Sequence, residues 1–511
     1  MKADSTKDLA VSVRRIGLAA VLLVAVLIRL PGTQWGYGLV GDHVDYVQLH
    51  PDEPRFVEIA RGMHEDAPFR RSYVLGLGSW LRVWLAAAES CGRVLTDQEL
   101  ILIARATSVA AGVALVWVLY LLAARLTRST RWALLAAALA GVNTWCITQS
   151  AYGTGDMLYT LWLYLFALLV LCGLQERRAT MLFAASAVAG VAMATKFGVV
   201  LLPSLVWMGL RYGRSRRYGW VVVFLLVSAV TFMAAQGFSF NGESIREIRR
   251  SFVGENASGA GAQWLANPVV CTIELLRVVG LPAAALALLG LGRLERPRRG
   301  QFPVVALVAL LPIALHAVGL LFMRLPFPRH ILPLVPLALL ATAIGVGGLR
   351  RGRRVAVVVV LLWSGVLALT DAQALWQDAR GKVFEWMAAN EAQDTDVWAD
   401  PYFKLPWQAF YPATPSEEAG AILLHEGWTY RFGRSELNPF AAPAPGALYH
   451  ATTRDAERHE ALLREWAEGR LMLVARAAPP EWLPEQRLYT KLWGHLNKFA
   501  GECILLRRVT P

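Results

Sequence analysis

Long apolar runs separated by short groups of arginines constrain the fold of this chain more than any other feature. An α-helix needs about 20 consecutive apolar residues to cross a bilayer. Eleven runs approach that length, at residues 16–30, 101–123, 132–150, 156–174, 179–195, 197–211, 218–238, 270–292, 302–323, 330–349 and 354–372. With 56% hydrophobic and 17% charged residues among 511, the chain is too apolar for a soluble protein of this size. The sequence therefore predicts an α-helical polytopic membrane protein.

The basic groups between the runs predict how the helices are oriented. If the amino terminus is cytoplasmic, five arginine groups fall in short cytoplasmic loops, which is the asymmetry typical of membrane proteins. These groups lie at residues 125–131, 177–178, 211–217, 293–299 and 350–354. They also account for much of the formal net charge of +13, so we exclude nucleic acid as a partner.

The predicted outer regions of the chain follow from this orientation. An odd number of crossings places residues 31–100, 239–269 and 373–511 outside. The stretch 73–88 is too short to count as a crossing, and we expect it to form an interfacial juxtamembrane helix or a re-entrant helix. Residues 373–511 have mixed charge and short alternating runs, which predict a small extracytoplasmic α/β domain. The chain is therefore expected to divide into a transmembrane domain, 1–372, and this outer domain.

Two acids, Asp52 and Glu53, stand at the start of a predicted helix in the first outer segment. Apolar residues follow them at helical spacing, namely Phe56, Ile59, Ala60 and Met63. One interpretation is that Asp52 only caps this helix. The other is that it belongs to a functional site, because Asp156 opens a crossing at the same membrane face and ionisable groups at membrane depth are usually functional. Asp156 has the same two interpretations.

Basic side chains are predicted at the same membrane level as these acids. They are Lys196, Arg105, Arg324, Arg329 and His330. Taken singly, each is more often a snorkelling residue than a ligand. Taken together with Asp52 and Asp156 beside apolar walls, they fit a site for an anionic head group on a lipid tail, since arginine and lysine suit phosphate.

Short polar segments follow a fixed order along residues 1–372. They are Asp52-Glu53, Arg105, Gln149-Ser150 with Asp156, Ala194-Thr195-Lys196, and Arg329 through Pro336. This ordered set resembles the GT-C glycosyltransferases, specifically the protein O-mannosyltransferase and aminoarabinose transferase-like families, which use polyprenyl-phosphate sugars. The tail from Arg380 looks like the outer soluble segment of many bacterial relatives.

The resemblance implies a GT-C fold and a multi-pass protein of the bacterial cytoplasmic membrane. It implies transfer of a sugar from a polyprenyl-phosphate carrier to an acceptor hydroxyl at the outer face, with inversion at the anomeric carbon. The implied partners are the lipid-linked donor, membrane lipids, and a lipid, glycan or protein acceptor. Neither the sugar nor the acceptor follows from the residues.

Each candidate site residue has an expected role in this reaction. Asp52 is the expected general base, with Glu53 or Asp156 positioning the acceptor or stabilising the transition state. The expected substrate-binding residues are Lys196, Arg329, His330, Arg105 and Arg324. The cations among them are expected to stabilise the departing lipid phosphate as its bond to the sugar breaks.

A divalent metal ion is a further hypothesis. His50, Asp45 and Asp52 lie close together in the sequence, and carboxylate oxygens suit magnesium or manganese. Their spacing is not diagnostic of a metal site, so the sequence leaves metal dependence open.

Two other classes of protein compete with a glycosyltransferase. A transporter or flippase usually has two related halves and charges near the membrane midplane. This sequence shows no internal repeat, and its charges lie at the predicted outer helix ends. A membrane scaffold with an outer binding domain would explain residues 373–511 but not the convergent acids and bases.

Overall fold

The chain forms two compact units in a computed structural model. The structure describes residues 2–36, 50, 52–65, 75–196, 198–213, 217–238, 266–294, 302–322, 328–391, 394–404, 407–429, 453–497 and 500–509. The first unit comprises Met1–Thr33 and Asp52–Gly365, and the second comprises Gln34–Pro51 and Val366–Pro511. The short segment after the first helix therefore groups with the carboxyl-terminal part of the chain.

The first unit is helical throughout its described part. Its helices are α1 (Lys2–Arg29), α2 (Glu53–His64), α3 (Gly76–Ser90), α4 (Asp97–Thr127), α5 (Thr130–Gly141), α6 (Thr144–Ser150), α7 (Gly155–Glu176), α8 (Ala179–Thr195), α9 (Leu202–Tyr212), α10 (Arg217–Ala235), α11 (Ala266–Val279), α12 (Leu281–Leu294), α13 (Phe302–Phe322), α14 (Val335–Gly348) and α15 (Arg353–Trp376), which runs past the unit boundary. Two 3-10 segments, Gly198–Leu201 and Pro328–Leu334, precede α9 and α14.

The helices of the described part are long and apolar enough to confirm the predicted class. Six could cross a membrane, or seven if the bent pair Pro268–Val279 and Leu281–Leu291 counts as one span. Three shorter apolar helices are Ala179–Thr195, Gly198–Tyr212 and Val305–Leu321. The helical, membrane-type fold predicted from the sequence is thus confirmed, and the exact number of crossings stays a prediction.

Two of the predicted runs are not continuous helices. The run 132–150 is divided into α5 and α6, because Asn143 caps α6 by accepting a hydrogen bond from the Cys146 backbone N–H at 3.0 Å. The run 270–292 bends by 113° between α11 and α12. Gly280 lies at this bend with φ of 85°, a conformation that favours glycine. Hydropathy alone does not register either break.

A buried arginine joins the first helix to the run that is divided into α5 and α6. Arg29 ends α1 and is 1% exposed. Its guanidinium donates to the carbonyl oxygens of Gly141 at 2.7 Å and Ala140 at 3.1 Å, and to Ser150 Oγ at 3.3 Å. The carboxyl-terminal carbonyls of a helix have no partner within it, so Arg29 satisfies those of α5 at the break. This contact fixes the segment that leads toward Asp156.

The described part of the second unit is a small sheet with helices. The strands are β1 (Val397–Ala399), β2 (Ala421–His425), β3 (Leu471–Ala477) and β4 (Cys503–Arg508), and the helices are α16 (Ala379–Asn390), α17 (Glu426–Thr429), α18 (Thr453–Ala467) and α19 (Pro484–Trp493). The strand order is β1-β2-β4-β3, with β1 and β2 parallel and the other pairs antiparallel. Alternate residues of β2 and β4, such as Ile422 and Ile504, pack with Trp398 and Trp428 in its core.

A second buried arginine explains why the segment after α1 groups with this unit. Arg380 and Asp378 form a bidentate ion pair, with Nε to Oδ1 at 2.8 Å and Nη2 to Oδ2 at 2.7 Å. The Trp35 indole N–H donates to Asp378 Oδ2 at 3.0 Å, and the Arg380 guanidinium lies 5.7 Å from the Trp35 ring centre. Trp35 is 1% exposed, so it forms part of the core of the second unit.

Candidate active site

Asp52 precedes α2, but its side chain does not cap that helix. Its φ and ψ of −92° and −16° are helical, and its side chain makes no capping hydrogen bond. A capping residue normally has an extended backbone. The Asp52 carboxylate instead accepts a hydrogen bond from Arg329 Nη1, and 36% of the side chain is exposed. The interpretation of Asp52 as a simple helix cap is therefore wrong.

Asp156 lies in the first turn of α7, where the helix dipole favours an acid. Thr154, not Asp156, occupies the capping position of this helix. The Asp156 carboxylate accepts hydrogen bonds from Thr154 Oγ1 at 3.2 Å and from Lys196 Nζ. Lys196 directly follows α8 in an extended conformation, which ends that helix beside Asp156. The two side chains are 8% and 15% exposed, so this ion pair is largely enclosed.

The two ion pairs form one electrostatic unit. The charges of Arg329 and Asp52 both act on Asp156, and the same two charges act on Lys196. We call Asp52, Asp156, Lys196 and Arg329 the charged cluster. Two carboxylates and two cations make it formally neutral, so an anionic ligand would compete with the carboxylates for the N–H groups of the cations. The arrangement can therefore provide both a base and an anion-binding group.

A second set of polar groups holds the 3-10 segment that carries Arg329. His316 on α13 places Nε2 at 2.8 Å from the carbonyl oxygen of His330 and Nδ1 at 3.5 Å from the Tyr159 hydroxyl. Because a carbonyl only accepts, Nε2 carries the proton and Nδ1 accepts from Tyr159. Tyr159 and His316 are 1% and 7% exposed. Neither residue was predicted from the sequence, in which a histidine inside an apolar run was the only signal.

His330 lies next to Arg329 in the same segment, with its side chain 9% exposed. The charges of Lys196 and Arg329 both act on it. The structure therefore brings His330 to the charged cluster, as the sequence predicted for a substrate-binding residue, while its carbonyl serves as the contact for His316.

Glu53 and Arg105 form a separate and fully buried ion pair. Arg105 Nε and Nη2 donate to the two Glu53 oxygens at 2.7 and 2.8 Å, and Nη1 donates to the Thr33 carbonyl at 3.1 Å. The Gly153 N–H also donates to Glu53 Oε1 at 2.9 Å. A Cβ at Gly153 would lie 2.9 Å from the Ala104 Cβ, so only glycine fits there without adjustment.

This pair is enclosed by the protein, since both side chains are 0% exposed. It ties α2 and α4 to the segment before α7, which places Asp52 and Asp156 in the same part of the first unit. The burial favours a positioning role for Glu53 and Arg105, and their roles toward a substrate stay predictions.

Two of the predicted site residues, the metal candidate Asp45 and the substrate-binding candidate Arg324, lie outside the described residues. The metal hypothesis stays a prediction. His50 is buried and belongs to the second unit, and Asp52 is bonded to Arg329. Within the ranges that the structure describes, no group of three or more His, Cys, Asp or Glu side chains is arranged to hold a metal ion.

Comparison of sequences identifies similar transferases. No protein-family model matches the chain. The chain is 31% identical over 333 residues to the undecaprenyl phosphate-alpha-4-amino-4-deoxy-L-arabinose arabinosyl transferase of Pseudomonas aeruginosa strain UCBPP-PA14, and it matches the protein of strain PAO1 equally well. Each match covers 60% of this chain and 57% of the relative. The chain thus spans little more than half the length of the curated relatives it matches.

Comparison of structures extends the similarity to nearly the whole chain. The fold is similar to the crystal structure of ArnT from Cupriavidus metallidurans in the apo state, with a TM-score of 0.50 and 15% sequence identity. The similarity covers 98% of both chains. The resemblance deduced from the sequence is therefore confirmed at the level of the fold.

Proposed function

We propose that this chain, which has the fold of the GT-C glycosyltransferases, transfers a sugar from a polyprenyl-phosphate carrier to an acceptor hydroxyl. The observation that carries the proposal is the charged cluster, in which two carboxylates and two cations share one electrostatic environment. The name of the similar Pseudomonas protein supports undecaprenyl phosphate as the carrier and 4-amino-4-deoxy-L-arabinose as the first sugar to test.

Asp52 acts as the general base in this proposal. At 36% exposure it is the more accessible carboxylate of the cluster, compared with 8% for Asp156. It accepts the proton of the acceptor hydroxyl while the acceptor oxygen attacks the anomeric carbon. The bond between that carbon and the phosphate oxygen breaks on the opposite face, which inverts the configuration. Asp156 stays paired with Lys196 and holds the amine in place.

Lys196 and Arg329 stabilise the leaving group. The donor is a phosphodiester, and the departing polyprenyl phosphate gains a negative charge as the sugar leaves. Cations held near this oxygen favour the transition state over the ground state, because the charge develops only as the bond breaks. Arg329 is 27% exposed and bonded to Asp52, so phosphate binding would draw it from that carboxylate and leave Asp52 ready to accept a proton.

The orientation of the site forms part of the proposal. The six long helices, the bent pair, the three shorter apolar helices and the α5–α6 pair correspond to the eleven apolar runs. With a cytoplasmic amino terminus, eleven crossings put the charged cluster and residues 373–511 on the outer side. The exposed thiol of Cys91 then reacts with an impermeant maleimide in intact spheroplasts. Reaction only after the membrane is opened would contradict this orientation.

The experiment that tests the activity is an assay of donor cleavage. Purified protein is mixed with undecaprenyl phosphate-linked aminoarabinose and an extract of envelope lipids, glycans and peptides. Release of undecaprenyl phosphate, together with transfer of label to one extract component, is the expected result. The Asp52→Asn protein is expected to fold but to lose transfer by about 10²–10⁴-fold, the usual contribution of a general base.

Asp97→Asn is the matched control for this assay. Asp97 is also an acid of the first unit paired with an arginine, with Arg61 Nε at 2.6 Å, but it is 66% exposed and lies outside the charged cluster. Its replacement should leave transfer unchanged. Full activity in Asp52→Asn would remove the proposed base. Movement of the intact donor across a vesicle membrane, without cleavage, would instead identify a flippase.

A further inference from the structure

The second unit contains a cavity of about 370 Å³, and none of its lining residues belongs to the charged cluster. Its aromatic, charged and polar lining residues are Trp398, Asp400, Lys404, Trp407, Gln408 and Arg458. Small-molecule sites in proteins commonly have volumes of this order and combine aromatic walls with a few polar groups. The composition of this wall therefore indicates which class of ligand it accepts.

The loop after β1 gives the cavity a fixed edge. Asp400 is 3% exposed, and its carboxylate accepts hydrogen bonds from the backbone N–H groups of Tyr402, at 2.6 Å, and His425. Lys404 has φ of 61°, a left-handed conformation that non-glycine residues rarely adopt. Strain of this kind often marks a functional position, and here it holds an exposed lysine at the rim of the cavity.

The aromatic walls and Arg458 are arranged for a ligand with an apolar face and a negative charge. Trp398 and Trp407 are 9% and 7% exposed. The Arg458 guanidinium lies 5.1 Å from the centre of the Trp398 ring, so ring stacking holds it in place. Its buried Nε has no hydrogen-bond partner among the described residues. With Asp400 engaged by backbone N–H groups, Lys404 and Arg458 leave the cavity with excess positive charge.

We propose that this cavity binds a phosphorylated saccharide. The flat, apolar face of an indole ring can stack on the C–H face of a sugar, because both surfaces are apolar. The planar fork of Arg458, helped by Lys404, suits the oxygens of a phosphate group. Gln408 offers both a donor and an acceptor for sugar hydroxyls. This binding is independent of the transfer chemistry of the charged cluster.

The test is calorimetric titration of the full-length protein in detergent with glucose 6-phosphate. Saturable binding is expected, with weaker binding of glucose and of inorganic phosphate, because each supplies only half of the recognised chemistry. Arg458→Gln should weaken binding by about 10- to 100-fold, since hydrogen bonds to a charged group contribute on this scale. Trp407→Ala should also weaken binding, because it removes an aromatic surface on which the sugar stacks.

Two exposed residues of the second unit provide matched controls. Arg464→Gln alters another arginine of α18, and Trp482→Ala removes a tryptophan that is 52% exposed. Neither residue lines the cavity, so both variants should bind normally. If Trp407→Ala does not fold, Trp407→Leu in a protein with normal thermal stability serves the same purpose.

Each contrary result overturns a defined part of the proposal. Absence of saturable binding of glucose 6-phosphate, or binding unaffected by Arg458→Gln and Trp407→Ala, removes the site. If inorganic phosphate binds as tightly as glucose 6-phosphate, the cavity does not recognise the saccharide. If glucose binds as tightly, the cavity does not recognise the phosphate.

Discussion

Asp52 and Glu53 are neighbours in the sequence, carry the same charge and both pair with an arginine, yet their surroundings differ completely. The Glu53–Arg105 pair is bidentate and 0% exposed on both sides. The Asp52–Arg329 pair includes a hydrogen bond from Arg329 Nη1 to Asp52 Oδ2, and 36% and 27% of the two side chains are exposed. Glu53 also binds a backbone N–H, whereas Asp52 makes no capping bond.

This difference separates a structural ion pair from one that can take part in chemistry. A buried charge that loses its partner has no water to replace it, so the Glu53–Arg105 pair must stay closed. A partly exposed pair exchanges its partner for water or ligand at lower cost, since ion pairs at the surface are worth only about 0–1 kcal/mol. Only the second kind can release an arginine to an incoming phosphate and then rebind it.

The largest expected effect is the difference in stability between a protein that lacks the Glu53 carboxylate and one that lacks the Asp52 carboxylate. Glu53→Gln removes the carboxylate charge that pairs with the buried Arg105 guanidinium, and we expect the free energy of unfolding to fall by about 3–5 kcal/mol. Asp52→Asn should lower it by less than about 1 kcal/mol. Thermal unfolding of the two proteins in the same detergent measures the contrast. Equal melting temperatures would mean that burial does not distinguish the two pairs.

A double replacement tests whether the Glu53→Gln effect comes from the buried Arg105 charge. Replacing both partners of a buried ion pair by apolar residues of similar volume is often neutral. Glu53→Met combined with Arg105→Met should therefore be more stable than Glu53→Gln alone. A double variant that is less stable than the single one would show that the pair contributes through its bonds to Thr33 and Gly153 instead.

The sequence predicted which charges meet better than it predicted what each one does. The distribution of arginines among the loops predicted that Asp52, Asp156, Lys196 and Arg329 lie at one membrane face. The structure brings these four together. The same argument could not separate Asp52 from Glu53. Adjacent residues point in different directions from a helix, and which direction is buried depends on neighbours distant in the sequence.

The groups that the sequence did not reveal are uncharged or enclosed by apolar runs. Tyr159 and His316 lie within apolar helices, where hydropathy counts them as single interruptions and gives no sign that they face each other. Arg29 lies inside the first apolar run, 16–30, and nothing in that run indicates that it reaches the carbonyls of α5. The fold class was predictable because long apolar runs dominate it, whereas these contacts arise from helix packing.

A smaller effect, on donor binding, is expected when the hydrogen bond from His316 to the segment that carries Arg329 is removed. His316→Phe takes away the donor to the His330 carbonyl and should raise the KM for the lipid-linked donor about tenfold, which corresponds to the free energy of one hydrogen bond. His316→Gln restores an N–H donor and should recover part of the loss. Because positioning affects donor binding, an equal fall in kcat with KM unchanged would contradict this role.

The smallest expected effect concerns His425, a group that burial keeps neutral, which extends the contrast between Asp52 and Glu53 to the second unit. Burial lowers the pKa of His425 to about 3, and its Nε2 has no hydrogen-bond partner in the described part of the chain. Between that pKa and the unfolded value near 6.5, the unfolded state binds the extra proton, so stability falls as the pH falls.

Lowering the pH from 7 to 5.5 should therefore reduce the free energy of unfolding by about 1 kcal/mol through His425 alone. His425→Asn keeps an acceptor for the Gly427 N–H, which lies 3.1 Å from Nδ1, and removes the titration. The pKa of His459 is also lowered, to about 4, but His459 is present in both proteins and cancels in the comparison. The melting temperature of the wild-type second unit should thus fall further between these pH values than that of His425→Asn. An equal fall in both would mean that water reaches His425, and that burial in this unit is less complete than burial of the Glu53–Arg105 pair.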